Sequence, residues 1–345
     1  MRIGIVGAGA ASAALTYVLA ETTDAELTVL EKSGGLTGRA ATRRHGELTY
    51  DHGANYLKSR DEQINELIRE VVGEDGLVDA AEPIYVFDEH GNVSEGRDSD
   101  AHKWSYARGL TQIGKRLFAA SDAEIERRTR IDQLTHEPAT ETWTATDTDD
   151  RTWGPFDALV MNPPAPQTAA LLEGADWEDP RRTELAEAAA SVPYRTIYTG
   201  VLHYEFELEK PYYGLVNVDK DHEVGWISRE ECKAGHVPAG ESLLIVQANH
   251  EWAVENYDRD PDAAAMELAG HAASILGDER LERPAWTDTQ GWRHALPDGA
   301  VDPEPVAAAE AAGLWSIGDW VPGEARLHEA LRVGMETGER LAEEA

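Results

Sequence analysis

The chain has 345 residues, which is enough to bury a large core and to form two domains. Its 65 acidic residues outnumber its 31 basic residues, so the formal net charge is -34 at pH 7. With 41% hydrophobic residues, this charge does not indicate disorder, and the acidic residues are spread along the whole chain. We interpret the charge as the surface of a halophile protein, because molar salt shortens electrostatic screening lengths to a few ångströms.

Composition also excludes several kinds of partner and site. A strongly negative surface makes nucleic acid and anionic membranes poor partners. No stretch approaches the roughly 20 apolar residues of a membrane span. Cys232 is the only cysteine, so neither an intrachain disulfide nor a cysteine-based metal site can form. The sequence therefore predicts a cytoplasmic protein, and no spacing in it indicates a metal site.

The N-terminal residues predict a βαβ unit that binds a dinucleotide. A buried strand over residues 2–6 runs into a glycine turn, an alanine-rich helix and a second strand over residues 27–30. The first glycine allows a tight turn, and the second lets the backbone approach a pyrophosphate at the helix N-terminus. The acidic residue after the second strand is placed to accept hydrogen bonds from ribose hydroxyls and to repel a 2′-phosphate. The binding residues predicted in this unit are Gly7, Gly9, Ala10, Ala11, Ser12, which stands where a third glycine is usual, Glu31 and Lys32.

A second glycine and arginine cluster follows directly and indicates FAD rather than a nicotinamide cofactor alone. FAD lies extended along its domain, so the chain must cross the cofactor with little side-chain bulk. Gly38 allows this crossing, and Arg39 can neutralise phosphate. Residues 50–56 end a strand with another turn of low bulk, which suits contact with an isoalloxazine edge. The contact residues predicted there are Gly53, Ala54, Asn55 and Tyr56.

The remaining elements predict an α/β fold with a Rossmann-type FAD-binding domain and an α+β substrate domain that has a mainly antiparallel sheet. The first domain is discontinuous and takes residues 1–58, 105–165 and 296–345; the second takes residues 59–104 and 166–295. Helices are predicted over residues 61–72, 109–118, 261–275 and 326–341, and a hairpin over residues 83–93. Strands are predicted over residues 124–134, 143–148, 156–161, 196–206, 224–228, 243–247 and 314–317.

The C-terminal part supplies a third predicted cofactor segment. Gly318 and Asp319 follow a buried strand, where an acidic residue can accept hydrogen bonds from the hydroxyls of a flavin ribityl chain. Arg326 and Leu327 begin the final helix. The dipole of this helix would favour the negative charge that builds up on the pyrimidine edge of a reduced flavin.

The order of these motifs resembles the renalase-like branch of the FAD-dependent amine oxidase superfamily. The motifs are Gly-Ala-Gly, Glu-Lys, Gly-Gly-x-x-Gly-Arg and Asp-x-Gly-Ala-Asn-Tyr, followed by Trp-Arg-x-Ala-Leu-Pro at residues 292–297. The resemblance implies an oxidase that takes a hydride from isomeric NAD(P)H and reduces O2 to H2O2. It also places Ile131 against the adenine. Two positions depart from the family pattern: His294 stands where tyrosine is common, and His328-Glu329 replaces a Glu-Gly pair.

Hydride transfer from a dihydronicotinamide requires positioning and exclusion of water rather than proton abstraction, so we assign no catalytic side chain. Aromatic and polar residues spread through the chain are candidates for the substrate cavity: Tyr56, Tyr198, Trp226, Trp292, His294 and Arg195. An anionic substrate must also overcome the negative field of the protein. The arginines considered for this are Arg195, Arg229, Arg293 and Arg326, each of which can equally form an exposed salt bridge.

Three other functions are compatible with parts of the pattern. An amine oxidase or desaturase would place a lysine near the flavin, and the candidates are Lys58, Lys210, Lys220 and Lys233. An NAD-dependent dehydrogenase explains the first βαβ unit but gives Gly38, Arg39, Gly318 and Asp319 no role. A non-catalytic dinucleotide-binding sensor predicts binding without turnover. The sequence does not indicate the oligomeric state.

Overall fold

The computed structural model describes residues 1–97 and 101–345, and its first layer is a five-stranded parallel sheet. Both faces of this sheet are covered, as is usual for parallel strands. Along β1, Ile3 and Ile5 face one core while Val6 faces the other. In spatial order the strands are β19 (Leu314–Ser316), β13 (Ala158–Met161), β1 (Arg2–Val6), β2 (Glu26–Glu31) and β9 (Glu124–Arg127).

Helices cover both faces of the parallel sheet. One face carries α1 (Ala10–Thr22), α2 (Glu62–Glu66), which continues as a π-helix over Leu67–Gly73, α3 (Gln112–Ala120) and α9 (Leu327–Ala342). The opposite face carries α4 (Ala165–Glu173), α5 (Pro180–Ala190), α8 (Pro303–Glu310) and an antiparallel sheet of β10 (Ile131–Glu137), β11 (Thr142–Asp147) and β12 (Thr152–Phe156). In the described part of the chain, every helix is too short or too polar to cross a lipid bilayer.

A seven-stranded sheet forms the second layer. All neighbouring strands in it are antiparallel except β15 and β6, which run parallel. In spatial order they are β18 (Trp286–Pro297), β14 (Tyr194–Tyr204), β17 (Ser242–Ala248), β16 (Val224–Arg229), β15 (Gly214–Asn217), β6 (Ile84–Phe87) and β7 (Val93–Ser94). One face packs on α6 (His250–Glu255) and α7 (Pro261–Leu276).

Two small hairpin-like sheets connect the layers. The first pairs β3 (Thr42–His45) with β4 (Leu48–Asp51), and it packs on the face of the seven-stranded sheet opposite α7 through Tyr50 and Val201. The second pairs β5 (Leu77–Asp79) with β8 (Trp104–Tyr106). Short 3-10 helices span Glu230–Cys232 and Glu279–Glu282.

The predicted fold class is confirmed, but several predicted elements differ from the structure. The single strand predicted over residues 124–134 is two strands, β9 and β10, because the chain turns at Arg128 with a φ of 61°. β15, β18, α4, α5, α6 and α8 were not predicted. β18 is half-buried along most of its length, so its sequence lacks the strict alternation that marks a strand.

The packing also bears on the domain division, which stays a prediction. α4 and α5 pack on the parallel sheet, which favours a boundary near residue 193 rather than 166. Residues 64–72 and 104–106 likewise contribute to the core of that sheet, whereas β6 and β7 belong to the seven-stranded sheet. The range predicted for the second domain, 59–104, includes residues 98–100, which lie outside the described residues.

The close contact of α9 with α1 depends on a glycine. A Cβ atom at Gly334 would collide with the carbonyl oxygen of Ala11, so Gly334→Ala must push the two helices apart. We expect the free energy of unfolding to fall by roughly 1–3 kcal/mol, measured by urea denaturation in molar potassium chloride. Gly270→Ala in α7 is the control: nothing lies within 4 Å of its Cβ, so this variant should gain roughly 0.5–1 kcal/mol. Equal changes in both variants would contradict this packing.

Candidate cofactor and substrate site

The turn between β1 and α1 leaves the helix N-terminus open. Gly7 has a φ of 94°, a backbone conformation that residues other than glycine rarely adopt. Gly9 is the N-cap of α1 and has no side chain to cap the helix. Ser12 is fully buried, and its hydroxyl donates to the carbonyl of Gly7 at 2.6 Å. The amide oxygen of Asn162, at the end of β13, accepts from the N–H of Gly9 at 3.1 Å. The same oxygen accepts from the N–H of Ser12 at 3.3 Å. The N–H groups of residues 10 and 11, which have no acceptor among the described residues, can therefore bind a phosphate.

Glu31 lies at the end of β2, beside this turn. Its carboxylate accepts hydrogen bonds from the N–H of Ala8 and the N–H of Ser33, both at 2.7 Å. Each oxygen therefore has one protein donor and keeps acceptor capacity for a ribose hydroxyl. Lys32 points away, since its ammonium donates to Gln167 on the exposed surface. The backbone of Thr129 donates to the carbonyl of Glu31, which brings the following Ile131 strand to this end of the sheet.

A second backbone segment crosses directly above the glycine turn. The N–H of Thr37 donates to the carbonyl of Ala8 at 2.7 Å, and a Cβ on Gly38 would lie 3.4 Å from the Cα of Gly9. The side chain of Arg39 then extends toward β19, the edge strand of the sheet, where it donates to Asp319 at 2.6 Å. The structure therefore joins two residues that are 280 positions apart and that the sequence assigned independently to the cofactor.

The third segment, at the end of β19, contains buried polar groups without protein partners. Gly318 has a φ of 119°, and Asp319 is only 6% exposed. Among the described residues, the Trp320 Nε1 and Ser316 Oγ atoms are buried and make no hydrogen bond. Buried unpartnered donors of this kind indicate a missing ligand or water.

The final helix begins close to the same site. Arg326 is the N-cap of α9, with no side-chain cap, and Leu327 is its first residue. Glu329, which replaces the family's glycine, is held by an ion pair with Arg332 and lies 3.3 Å from His328. The helix N-terminus is therefore uncapped, but its first turn carries a carboxylate that the sequence pattern of the family lacks.

Residues 53–56 join the two layers. A Cβ on Gly53 would collide with the carbonyl of Arg39, so only glycine fits there. The carbonyl of Gly53 accepts from Gln247 at 2.9 Å, and the side chain of Asn55 accepts from Ser228 at 2.9 Å. Gln247 and Ser228 stand on the face of the seven-stranded sheet opposite α7, so this face borders the predicted cavity.

Three aromatic side chains, those of Tyr56, Tyr213 and Trp226, lie together at the same face. The ring of Tyr56 lies 6.2 Å from that of Trp226 and 5.9 Å from that of Tyr213, measured between centroids. Burial raises the pKa of Tyr56, while the cations of Arg326 and Lys233 oppose that rise. Tyr213 was not predicted, because nothing in the sequence distinguishes it from a core aromatic residue.

Trp292 and His294 occupy the edge of this region on β18. Trp292 stacks on His52 at 5.5 Å and donates from Nε1 to the carbonyl of His52. Burial, assisted by the charge of Arg43, lowers the pKa of His52 to about 4, so this imidazole is neutral at pH 7. His294 packs edge-on against Tyr194, 5.6 Å away.

Two predicted cavity residues have other contacts in the structure. Tyr198 is buried against Trp252 of α6, on the opposite face of the sheet, because side chains alternate along β14 and residue 198 falls on the face covered by α7. Arg195 forms an exposed ion pair with Asp298 at 2.8 Å.

The other three arginine candidates differ in their contacts. Arg229 is buried and donates to the carbonyls of Leu208, Lys210 and Tyr212, so its role is structural. Arg293 lies over the ring of Tyr257, 4.2 Å from its centroid. Arg326 alone of the four has no ion pair or ring contact among residues 1–97 and 101–345.

Lys233 proves to be the centre of a fully buried charge cluster. Its ammonium lies 3.0 Å from Asp51 and 2.8 Å from Glu230, and Glu230 also contacts Nδ1 of His236 at 2.8 Å. All four side chains are 0% exposed. Asp51 additionally accepts from the hydroxyls of Thr42 and Ser105 and from the N–H at residue 110. The cluster therefore ties the β3–β4 hairpin to β8, to the start of α3 and to the loop after β16.

Within this cluster, Asp51 and Lys233 favour each other's charged form. Burial alone would raise the pKa of Asp51, but Lys233 and the hydrogen bonds outweigh it and the pKa lies below its ordinary value. Burial alone would lower the pKa of Lys233, but Asp51 and Glu230 raise it. The ligand atoms of Asp51, Glu230 and His236 are close enough together for a metal ion, yet the ammonium of Lys233 already supplies the cation between the carboxylates.

Comparisons with known proteins agree with this architecture. Residues 5–71 match the NAD(P)-binding Rossmann-like domain family. A protein described as a putative protoporphyrinogen oxidase from Exiguobacterium sp. 255-15 superimposes with a TM-score of 0.80 at 14% identity, over 100% of this chain and 99% of that one. Cyclohexylamine oxidase from Brevibacterium oxydans IH-35A gives 0.75 at 12% identity, over 99% of both chains. A triple mutant of putrescine oxidase gives 0.74 at 11% identity, over 100% and 99%. At these identities the likeness shows that the chain shares their fold.

Removing the central cation of the buried cluster should be severely destabilising. Lys233→Met leaves two buried carboxylates without their counter-charge, and we expect the free energy of unfolding to fall by about 3–5 kcal/mol in urea denaturation. Lys220→Met, at an exposed lysine, is the matched control and should stay within roughly 0.5 kcal/mol of wild type. A loss of stability no larger in Lys233→Met than in the control would show that the cluster does not hold the layers together.

Proposed function

We propose that the protein is an FAD-dependent oxidase of the renalase-like type, which takes a hydride from a dihydronicotinamide substrate such as isomeric NAD(P)H and reduces O2 to H2O2. One observation carries the proposal. Three backbone segments with small side chains come from distant parts of the chain and lie together at the carboxyl ends of the parallel strands. They are residues 7–9, 37–38 and 318–319. An extended dinucleotide requires such an edge.

The residues present fit FAD. The N–H groups of residues 10 and 11 at the start of α1 suit a pyrophosphate, and the free acceptor capacity of Glu31 suits a ribose. The buried Trp320 Nε1 and Ser316 Oγ, which have no partners among the described residues, are polar groups that a bound ligand would satisfy. The residues that would hold FAD are those predicted above, with Lys32 left out and Asn162 added. When bound, FAD supplies a two-electron acceptor that O2 can reoxidise.

A nicotinamide dehydrogenase accounts for less of this site. NAD bound to the first βαβ unit would use the glycine turn and Glu31 but leave the crossing at Gly38 and the Arg39–Asp319 pair without a ligand. Asp319 follows β19, which lies two strands from β1 and outside the first βαβ unit. We therefore propose FAD as the bound cofactor.

The chain's own side chains would act by positioning. Tyr56, Trp226 and Trp292 border the face where residues 53–56 meet the seven-stranded sheet, and they can hold a planar ring and exclude water. His52 is neutral at pH 7, and its buried Nδ1 has no hydrogen-bond partner among the described residues. No proton has to leave the substrate carbon, in keeping with this set of residues.

An amine oxidase is the second candidate, and the grouping of Tyr56, Tyr213 and Trp226 suits a neutral amine. The lysines argue against it. Lys233 is locked between two carboxylates, and Lys210 donates to the carbonyl of Leu276 on α7. Lys58 stands among other cations, which would repel an ammonium substrate. A non-catalytic sensor would bind the same ligands without turnover.

An anaerobic spectral titration tests the proposed activity. The FAD-loaded protein in molar potassium chloride is mixed with dihydronicotinamide isomers and, separately, with simple amines. We expect the isomers to bleach the flavin absorbance rapidly, with peroxide formed when air is readmitted. Bleaching by an amine alone would establish the second candidate. FAD binding without bleaching by either would indicate a sensor, and failure to bind FAD would exclude a flavoenzyme.

Asp319 should contribute to retention of FAD. Asp319→Asn removes a buried charged acceptor and the partner of Arg39. Because hydrogen bonds to charged groups are worth about 1.5–3 kcal/mol, we expect the dissociation constant of FAD, measured by flavin fluorescence, to rise about 10- to 100-fold. Asp298→Asn breaks the exposed pair with Arg195 and serves as the control, with FAD affinity close to that of wild type. Unchanged affinity in Asp319→Asn would remove this residue from the site.

A further inference from the structure

A bulge in β16 turns Trp226 toward the face of the seven-stranded sheet opposite α7. Val224 pairs with Ala248 and Trp226 pairs with Gln247, so β16 has one extra residue between two consecutive pairs. Val224 and Ala248 pack in the core under α6 and α7, whereas Trp226 and Gln247 share the opposite face. The side chain of Gln247 donates to the carbonyl of Gly53 at 2.9 Å. Because paired residues are neighbours across the strands, Trp226 lies beside this contact.

Thr199 continues this row of residues on the other side of Gln247. It pairs with Gln247 across β14 and β17 and with Gln290 across β14 and β18. Thr199 is fully buried, and its hydroxyl has no hydrogen-bond partner among the described residues. The four side chains of the row, from Gln290 to Trp226, are therefore all polar and all without charge.

Tyr213 joins Trp226 from the residue just before β15. Its ring centroid lies 6.1 Å from that of Trp226 and 5.9 Å from that of Tyr56. The side chain of Tyr213 is 0% exposed, yet its hydroxyl makes no hydrogen bond in the described part of the chain. The buried Nε1 atom of Trp226 has no partner there either. Such atoms are rare in native proteins, and two on neighbouring rings indicate a bound ligand or water.

Both of these groups are hydrogen-bond donors at pH 7. The indole N–H of Trp226 can only donate. Burial raises the pKa of Tyr213 above its ordinary value despite the opposing charge of Lys233, so the hydroxyl keeps its proton. A ligand that satisfies both must therefore offer an acceptor. An ammonium ion, which is the form of a simple amine at pH 7, has donors only.

The charges around Tyr213 favour a neutral acceptor over an anionic one. The ammonium of Lys233 lies 5.8 Å from the ring centre of Tyr213, but it is already paired with Asp51 and Glu230. A carboxylate buried beside Tyr213 would have no counter-charge of its own, and this costs much more than burying a carbonyl group. A neutral carbonyl oxygen accepts both hydrogen bonds and needs no counter-charge.

We propose that Tyr213 and Trp226 determine substrate specificity by donating hydrogen bonds to a neutral carbonyl oxygen next to the reacting ring, such as the carboxamide of a dihydronicotinamide. The inference rests on the proposed function for the reaction. It deepens that function by assigning two residues to the ring end of the substrate and by naming the chemical group that they select.

Binding of small aromatic rings to the protein incubated with FAD tests this assignment without turnover. The probes are nicotinamide, thionicotinamide, in which a weakly accepting sulfur replaces the carbonyl oxygen, and the anion nicotinate. Dissociation constants are measured by ligand-observed NMR titration in molar potassium chloride. We expect wild type to bind nicotinamide about 2- to 10-fold more tightly than either of the other two, which is the range for one net hydrogen bond.

Tyr213→Phe removes only the hydroxyl. We expect it to weaken nicotinamide binding about 2- to 10-fold and to leave thionicotinamide binding nearly unchanged. Its urea midpoint should not fall, because the hydroxyl has no partner among the described residues to lose. Tyr204→Phe is the matched control: Tyr204 is equally buried, packs on the α7 side of the sheet and donates to the carbonyl of Leu281 at 2.8 Å. This variant should lower the midpoint and leave nicotinamide affinity unchanged.

The two readouts separate the outcomes. A loss confined to nicotinamide in Tyr213→Phe, with an undiminished midpoint, supports the assignment. It is overturned if wild type does not bind nicotinamide, if it binds the three probes equally or nicotinate best, or if Tyr213→Phe keeps full nicotinamide affinity. A lower midpoint together with full affinity would identify a structural water as the partner of the hydroxyl.

Failure of the proposed function gives a different result. If dihydronicotinamide isomers do not bleach the flavin but nicotinamide binding still depends on Tyr213, the reaction is refuted and the assignment stands. If the isomers bleach the flavin and Tyr213→Phe keeps full nicotinamide affinity, the reaction stands and the assignment is refuted.

Discussion

The buried ion pairs of Lys233 with Asp51 and Glu230 are the constraint on which the arrangement of the two layers depends. They lie under the segment that begins at Gly53, and they connect β4, β8 and the loop after β16 within one desolvated group. Because a buried charge is tolerated only with its partner in place, these elements must assemble together. The position of Tyr56 and of the residues opposite it on the seven-stranded sheet follows from that assembly.

The surface of the protein and the groups assigned to ligand binding also differ in the sign of their charge. A net charge of -34 repels anions at long range, yet the parts assigned to ligand binding are helix N-termini and Arg39. Screening in molar salt weakens the long-range field within a few ångströms, whereas partly buried charges such as Arg39 are screened much less. The same salt that makes the acidic surface tolerable would therefore leave the local attraction largely intact.

Sequence reasoning anticipated the close glycine crossings better than the surroundings of the aromatic side chains. Glycines at close backbone crossings can be recognised from the sequence, because few other residues adopt the φ of Gly7 or fit beside Arg39 as Gly53 does. For an aromatic residue, the sequence does not distinguish a position in the core from one beside a cavity. Tyr198 was predicted to line the cavity and lies in the core, whereas Tyr213, which was not predicted, lies beside Tyr56 and Trp226. The difference is one of strand register, which the local sequence leaves open.

The sequence by itself determined the class of fold, the βαβ unit at residues 2–31 and the chain order of the glycine segments, because these depend on local periodicity and on backbone conformations that glycine alone favours. Only the tertiary structure decided which charges meet. In the sequence, Lys233 was one of four candidate lysines, and its partner Asp51 is 182 positions away. The environment of Lys233 arises from contacts between distant segments, and burial with two carboxylates makes an ordinary lysine a fixed counter-ion.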